Sequence, residues 1–465
     1  MIYIYLFILF IFGISIEIFL DKVKIINLKE MQKLEVISLG MTLGLILYTL
    51  YMFFIAIINI NFSFYIIVPI IILDIITLIY ILKKINVIKK YICAKKYFKK
   101  EYLITGCLLS IFSIYIIYLI SCAKSNFLQY PDEYSAWALN AKNIFLGKNM
   151  KLFINSGFET YPQFLPLLYS GYYFFVGKII ENDIRVFSAI FIILSLINLI
   201  AVSKRLKLNI NFIILLFNFI LMKYTGIFEL STSIYADIPF MCLYFNSIIY
   251  LIEWLLSDKN SKELALISLV NTIGICWCKT DGKFLIFLNI FIILINYIFS
   301  EKMNIKRKKI STIILYCISI MILPITWKIY TSIEKFPTEL VVGAGSKFEI
   351  HFEYIINLFT NMSKQFFENM PWLVLSILGF IGILFFVEKL NNQEKKYLIN
   401  LFVVIVGNVS FLIVCYICVF GAEAMIAASF IRYMTRIILV QLIFSMLALK
   451  PILDNRLNLN QNIEK

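Results

Sequence analysis

The sequence predicts an all-α polytopic membrane protein of about 13 transmembrane helices, with further short helices lying at the membrane surface in its outer loops. Three observations carry this expectation. Hydrophobic residues make up 61% of the 465-residue chain and charged residues only 15%, against roughly 45–50% and about 25% in an ordinary soluble domain. Apolar runs of about 18 residues or more recur along the whole length, each able to cross a hydrocarbon layer about 30 Å thick. The Lys and Arg residues, which give a formal net charge of +15, stand in short clusters between those runs. There they set topology, whereas a nucleic-acid partner would ask for one basic face or tail.

Taken in order, the expected spans cover about residues 2–20, 37–58, 61–82, 102–121, 185–203, 209–222, 237–256, 264–279, 283–300, 310–331, 371–388, 397–420 and 431–450. The first run, Met1 to Leu20, has neither a basic start nor a small-residue cleavage site and is expected to stay as a span. Lys83, Lys84, Lys89, Lys90, Lys95, Lys96, Lys99 and Lys100 mark a cytoplasmic loop, which puts the segment after span 102–121 outside. Alternation then places Lys204, Arg205 and Lys207, the 302–309 cluster, and Lys389, Lys395 and Lys396 inside as well. This requires that residues 164–181, broken by Pro166, Gly171 and Gly177, form a re-entrant or interfacial segment. Residues 1–100 are expected as N-terminal spans with a basic loop, and residues 101–465 as the catalytic membrane domain. The cysteines lie mostly inside apolar runs, where a thiol acts as a small hydrophobe, and the Cys276 and Cys278 pair lacks the companions a zinc site needs.

The outer segments, about 122–184 and 332–370 with turns at 229–237, 279–281 and 421–430, are where chemistry is expected. In YPDEYSAWALNAKNIFLGKN, residues 130–149, Asp132 and Glu133 precede a helical pattern with Tyr134, Trp137, Ala141, Ile144 and Phe145 on one face and Asn140, Lys142 and Asn143 elsewhere. This reads as a surface helix with Trp137 at headgroup depth. An acidic pair there is well sited to take a proton from a hydroxyl at the membrane surface; helix capping by Asp132 is the plainer alternative. Tyr161 opens YPQFLPLLYS, whose two prolines fix the chain's approach to the membrane. Tyr235 and Asp237 stand at the outer end of a span in STSIYADIP, where Asp237 also suits a cap. Lys279 and Asp281 share a tight turn in CWCKTDGKF, either as a functional pair at the membrane edge or as a pair fixing the turn. Arg432, Tyr433 and Arg436 lie in FIRYMTRI at an outer end, where positive charge calls for an anion nearby: a lipid headgroup or a donor phosphate.

Together these residues resemble the GT-C superfamily of polyprenyl-phosphate-dependent glycosyltransferases, the group of protein O-mannosyltransferases and lipid A aminoarabinose transferases. The similarity runs from about residue 102 to 450. It rests on Asp132 and Glu133 before a surface helix, on YPQFLPLLYS, and on YADIP, CKTDG and IRYM in that order. Two departures stand out: Pro162 and Pro166 are separated where the family pairs its prolines, and the three spans before residue 102 lie outside the common core. The resemblance implies displacement at an anomeric carbon, inverting in outcome, at the outer face of the plasma membrane. Asp132 or Glu133 would serve as base, and Lys279, Arg432 and Arg436 would steady the leaving phosphate. The implied partners are a polyprenyl-phosphate-linked sugar, a lipid-linked glycan, protein or cell-wall acceptor, and membrane lipids, with no nucleic acid.

No cofactor is required for such a displacement. Asp132, Glu133 and Asp237 are hard oxygen donors of the kind that hold a divalent cation, and nothing in their spacing demands one. His351, the single histidine, falls in the second outer loop as a solvated side chain or one within reach of the site. A transporter or flippase would instead show ionisable residues within several spans, and this sequence has few, Asp74 being the clearest and standing alone. A glycan polymerase or ligase of another membrane fold would also place Arg and acidic residues in outer loops.

Overall fold

The computed structural model describes residues 1–88, 100–125, 132–151, 160–224, 226–257, 261–298, 303–336, 350 and 352–454. Among them the chain is helical and forms no strand. Helices α1 (Ile2–Lys22) and α2 (Lys33–Ile57) form an antiparallel hairpin, and α3 (Val68–Ile88) packs against α1. Glycine makes the hairpin close: a Cβ on Gly13 would fall 1.7 Å from the carbonyl oxygen of Gly40. Next come α4 (Lys100–Ser125), α5 (Ala138–Gly147), α6 (Phe164–Val176), the short α7 (Glu181–Ile184) and α8 (Val186–Leu206). They are followed by α9 (Ile210–Lys223), α10 (Ile227–Thr232), α11 (Asp237–Leu256), α12 (Lys262–Cys278), α13 (Gly282–Ile298) and α14 (Met303–Ile333). The chain continues through α15 (Ile355–Glu368), α16 (Met370–Phe386), α17 (Asn392–Cys418), α18 (Phe430–Met434) and α19 (Ile438–Ala448).

Ten helical stretches among the described residues are long and apolar enough to cross a membrane, so the chain is a multi-pass membrane protein. They coincide with ten of the thirteen expected spans. The other three, 209–222, 264–279 and 283–300, form α9, α12 and α13 of 14, 17 and 17 residues. At 1.5 Å per residue α9 reaches only about 21 Å, short of a full hydrocarbon layer.

Helix α11 is the axis of the fold, with 89% of its apolar window buried, against 17% for the window in α4 and 22% for that in α14. It packs on α8, α12, α13, α17 and α19. Inside the bundle the Asn289 side-chain amide donates to Ser247 Oγ, Thr272 Oγ1 and Tyr316 OH at 3.1–3.2 Å, tying α11 to α14 where no water competes. Helices α1 and α2, which fall in the stretch expected as the N-terminal part, pack on α6, α8 and α12. Glu35 of α2 pairs with Arg205 of α8, and the Tyr5 hydroxyl donates to the Leu168 carbonyl of α6 at 3.2 Å.

The bundle has two distinguishable ends. At one, Phe62 N–H donates to the Lys148 carbonyl, Lys151 pairs with Glu334, and the Trp327 indole donates to the Thr160 carbonyl. Both flanks of α6 belong to this end, because Thr160 precedes it and Phe175, near its finish, stacks on Phe64. At the other end Asn27 N–H donates to Glu263, Arg205 meets Glu35, and Lys450 meets Glu394.

Candidate active site

The first of these ends gathers acids, bases and aromatics from five widely separated stretches of chain. Asp132 leads into a π-helical turn, Glu133–Trp137, which runs on into α5. The extra residue in that turn rotates Tyr134 off the expected face, leaving it exposed while Trp137, Ala141 and Ile144 are buried. Asn140 and Asn143, expected to point away, are buried too, since α5 packs against α6 instead of lying with one face in lipid. Trp137 meets the Tyr161 ring edge-on at 5.8 Å and is enclosed by protein.

Asp132 makes no capping bond with its own helix. Its Oδ2 instead accepts from Arg432 Nη2 at 2.8 Å. The next residue differs sharply: Glu133 is 0% exposed, accepts the Ile234 N–H at 2.9 Å and lies 3.4 Å from Arg185 Nη2. Arg185 also donates to the Thr232 carbonyl at 3.4 Å, and Ser188 Oγ to the Ser233 carbonyl at 3.1 Å. These bonds hold residues 232–234 against α8 and so position Tyr235 and Asp237.

Asp237, the first residue of α11, is buried and bonds two cations. Its Oδ1 accepts from Lys279 Nζ at 3.0 Å and its Oδ2 from Arg432 Nε at 3.0 Å. The Arg432 guanidinium lies over the Tyr235 ring, 4.2 Å from its centroid. Burial pushes the Tyr235 phenol up from its usual range, and the negative charge of Asp132 adds to that shift. Asp281 does not pair with Lys279, the turn-fixing alternative; it meets Arg436 Nη2 at 3.3 Å. Arg436 also donates from Nε to the Tyr433 carbonyl at 2.8 Å, and its side chain is only 8% exposed. Tyr433 stacks on Phe420 and faces both Lys279 and Arg436 across its ring at 5.6 and 5.4 Å.

The ten residues expected to form the site, Asp132, Glu133, Tyr161, Tyr235, Asp237, Lys279, Asp281, Arg432, Tyr433 and Arg436, therefore lie at one end of the bundle. A chain of ion pairs, Asp132 to Arg432 to Asp237 to Lys279, joins four of them. The supporting residues were missed. Arg185 carried the same signal as Arg432, a positive charge at an outer helix end. Tyr224 carried none: its hydroxyl accepts from Trp372 Nε1 at 3.0 Å and bonds Thr435 and the Ile431 carbonyl, bracing the helix that bears Arg432. Beside it, Ala427 and Ser429 take left-handed backbone with φ of 48° and 58°, which turns the chain sharply into α18.

Among the described residues no three His, Cys, Asp or Glu side chains are grouped to hold a metal ion. Of the oxygen donors considered for one, Asp132 and Asp237 both bond Arg432, and Glu133 bonds Arg185. His351 lies outside the described residues. Comparisons with family models, with curated proteins and with solved structures find no match.

Proposed function

We propose that the protein is a membrane glycosyltransferase of GT-C type that moves a sugar from a polyprenyl-phosphate donor to a cell-envelope acceptor at the non-cytoplasmic face of the plasma membrane. One observation carries the reading: a partly exposed carboxylate, Asp132, stands beside an Arg–Asp–Lys chain at one end of the helical bundle. The basic-cluster rule supports the sidedness, since Arg205 and the start of α17 lie at the opposite end. Asp132 takes the proton of the acceptor hydroxyl as its oxygen attacks the anomeric carbon. The carbon–oxygen bond to the polyprenyl phosphate breaks, and the phosphate leaves with the bonding pair. Because that leaving group needs positive charge more than a proton, Arg432 and Lys279 serve by preorganised electrostatics, with Arg436 bracing Tyr433 behind them. Glu133 holds the base in place and is not the base itself.

The test uses purified protein in nanodiscs with a panel of radiolabelled polyprenyl-phosphate and diphosphate-linked sugars, comparing the native chain with Asp132→Asn. Transfer from a monophosphate donor that disappears in the folded variant is the expected result. Equal transfer by native and variant protein removes Asp132 from the chemistry. Turnover only with diphosphate-linked donors moves the chain to the polymerase or ligase class, and none with any donor favours a transporter.

A further inference from the structure

Within the network of contacting charges the described side chains offset one another without any ligand. Asp132, Asp237 and Asp281 offset Lys279, Arg432 and Arg436, and each carboxylate is in contact with a cation. A phosphate entering this arrangement beside Arg432 adds negative charge next to Asp132, whose Oδ2 already holds Arg432 Nη2. The contacts differ in how firmly they are held. Asp237 and Lys279 have side chains 7% and 9% exposed, and they fix the inner, Nε side of Arg432 while Tyr235 lies across its face. Asp132 is 36% exposed and Arg432 26%, and they meet through Nη2 at the outer side. The outer contact is therefore the one an incoming anion can take over, because ion pairs open to water are worth little.

We propose that the Asp132–Arg432 pair is an exchangeable latch: a phosphate group binds the outer edge of Arg432 by displacing Asp132, and the freed carboxylate becomes available as a base. The inference rests on the reading of the donor as a phosphate. Arg432 keeps its orientation throughout, because Asp237 and Tyr235 hold it from the inner side. The Oδ2 of Asp132 is occupied by Arg432 Nη2, so the exchange frees that oxygen when the donor binds and couples donor binding to the availability of the base.

The experiment measures binding, with neither sugar nor acceptor present, in phosphatidylcholine nanodiscs. Inorganic phosphate and a short isoprenyl phosphate are titrated into native protein, Asp132→Asn, Asp132→Ala and Arg432→Gln, with thermal melting as the check on folding. Removing the competing carboxylate is expected to tighten phosphate binding by about tenfold, the order of one charge-assisted hydrogen bond, and Arg432→Gln to abolish it. Tightening in both arms assigns recognition to the phosphate alone; tightening only with the isoprenyl ligand assigns it to a lipid-borne phosphate. Unchanged or weaker binding in whichever Asp132 variant folds, or no binding by any form, overturns the latch. Tightened binding without sugar transfer would sink the transferase reading and leave the latch standing. Transfer lost in Asp132→Asn without tightened binding would do the reverse.

Discussion

At one end of the bundle Glu35 meets Arg205 and Glu394 meets Lys450, and each pair joins helices far apart in sequence. At the other, Arg432 bonds two aspartates, Asp237 bonds two cations, and the chain they form ends on a carboxylate open to solvent. Both ends pair carboxylates with Arg and Lys. What differs is connectivity and access: Glu35 is 0% exposed at the side chain and Asp132 is 36%. Closed pairs fasten helices together, whereas a chained set with an open terminus holds a reactive group in a fixed field while leaving it reachable.

The largest expected effect tests that division directly. Asp132→Asn is expected to lower sugar transfer by about 10²- to 10⁴-fold, the range for loss of a general base, with the melting temperature nearly unchanged. Glu35→Gln is expected to do the opposite: a stability loss of about 3–5 kcal/mol, typical of breaking a buried pair, and full transfer per folded molecule. Both are read from thermal melting and radiolabel transfer on the same preparations. A Glu35 variant that melts normally but transfers poorly would erase the distinction between the ends.

Glu133 sharpens the comparison because it sits at the reactive end yet is wired like the closed pairs. Glu133→Gln is expected to cost stability on the scale of Glu35→Gln, about 3–5 kcal/mol, with a smaller loss of transfer than Asp132→Asn. If it abolishes transfer while melting like the native protein, then Glu133 is the base and Asp132 the support.

A smaller effect is expected at Tyr235, whose ring backs Arg432. Tyr235→Phe keeps the ring face and should leave transfer within about twofold, while Tyr235→Leu forfeits a cation–π contact of about 0.5–2 kcal/mol, or roughly 2- to 30-fold. Steady-state assays on the two variants decide it, and equal losses in both would transfer the role from the ring to the hydroxyl.

Much of this was readable from the sequence because charge is expensive at a membrane edge. Asp132, Asp237, Lys279 and Arg432 could be singled out for their positions at helix ends, and the fold brings them into one chain. The long helices were equally readable, since an apolar run of 20 residues in this composition has few other homes. Hydropathy reports apolarity better than length, so it could not tell that α9, α12 and α13 would be 14, 17 and 17 residues long. Three features left no trace: the π-turn that rotates Tyr134 outward, the burial that separates Glu133 from its neighbour, and the bracing by Tyr224 and Trp372. Glu133 is held by Arg185 and Ile234, 52 and 101 positions away, and Tyr224 by Trp372, 148 positions away, so the partners lie far outside the segment in which each residue is read.

The smallest expected effect concerns Lys142, whose pair with Glu181 lies at the reactive end but outside the chain of contacts around Arg432. Both side chains are about one-third exposed, at 32% and 30%, so water screens the pair and its contribution is about 0–1 kcal/mol. Lys142→Gln should therefore move neither the melting point nor the transfer rate measurably. A silent variant here would show that membership of the chain, and not mere location at that end, makes a charged residue matter. A tenfold loss of transfer would instead spread the electrostatic field of the site across α5 and make Lys142 part of it, since a pair this exposed has too little stabilising energy for its loss to act through folding.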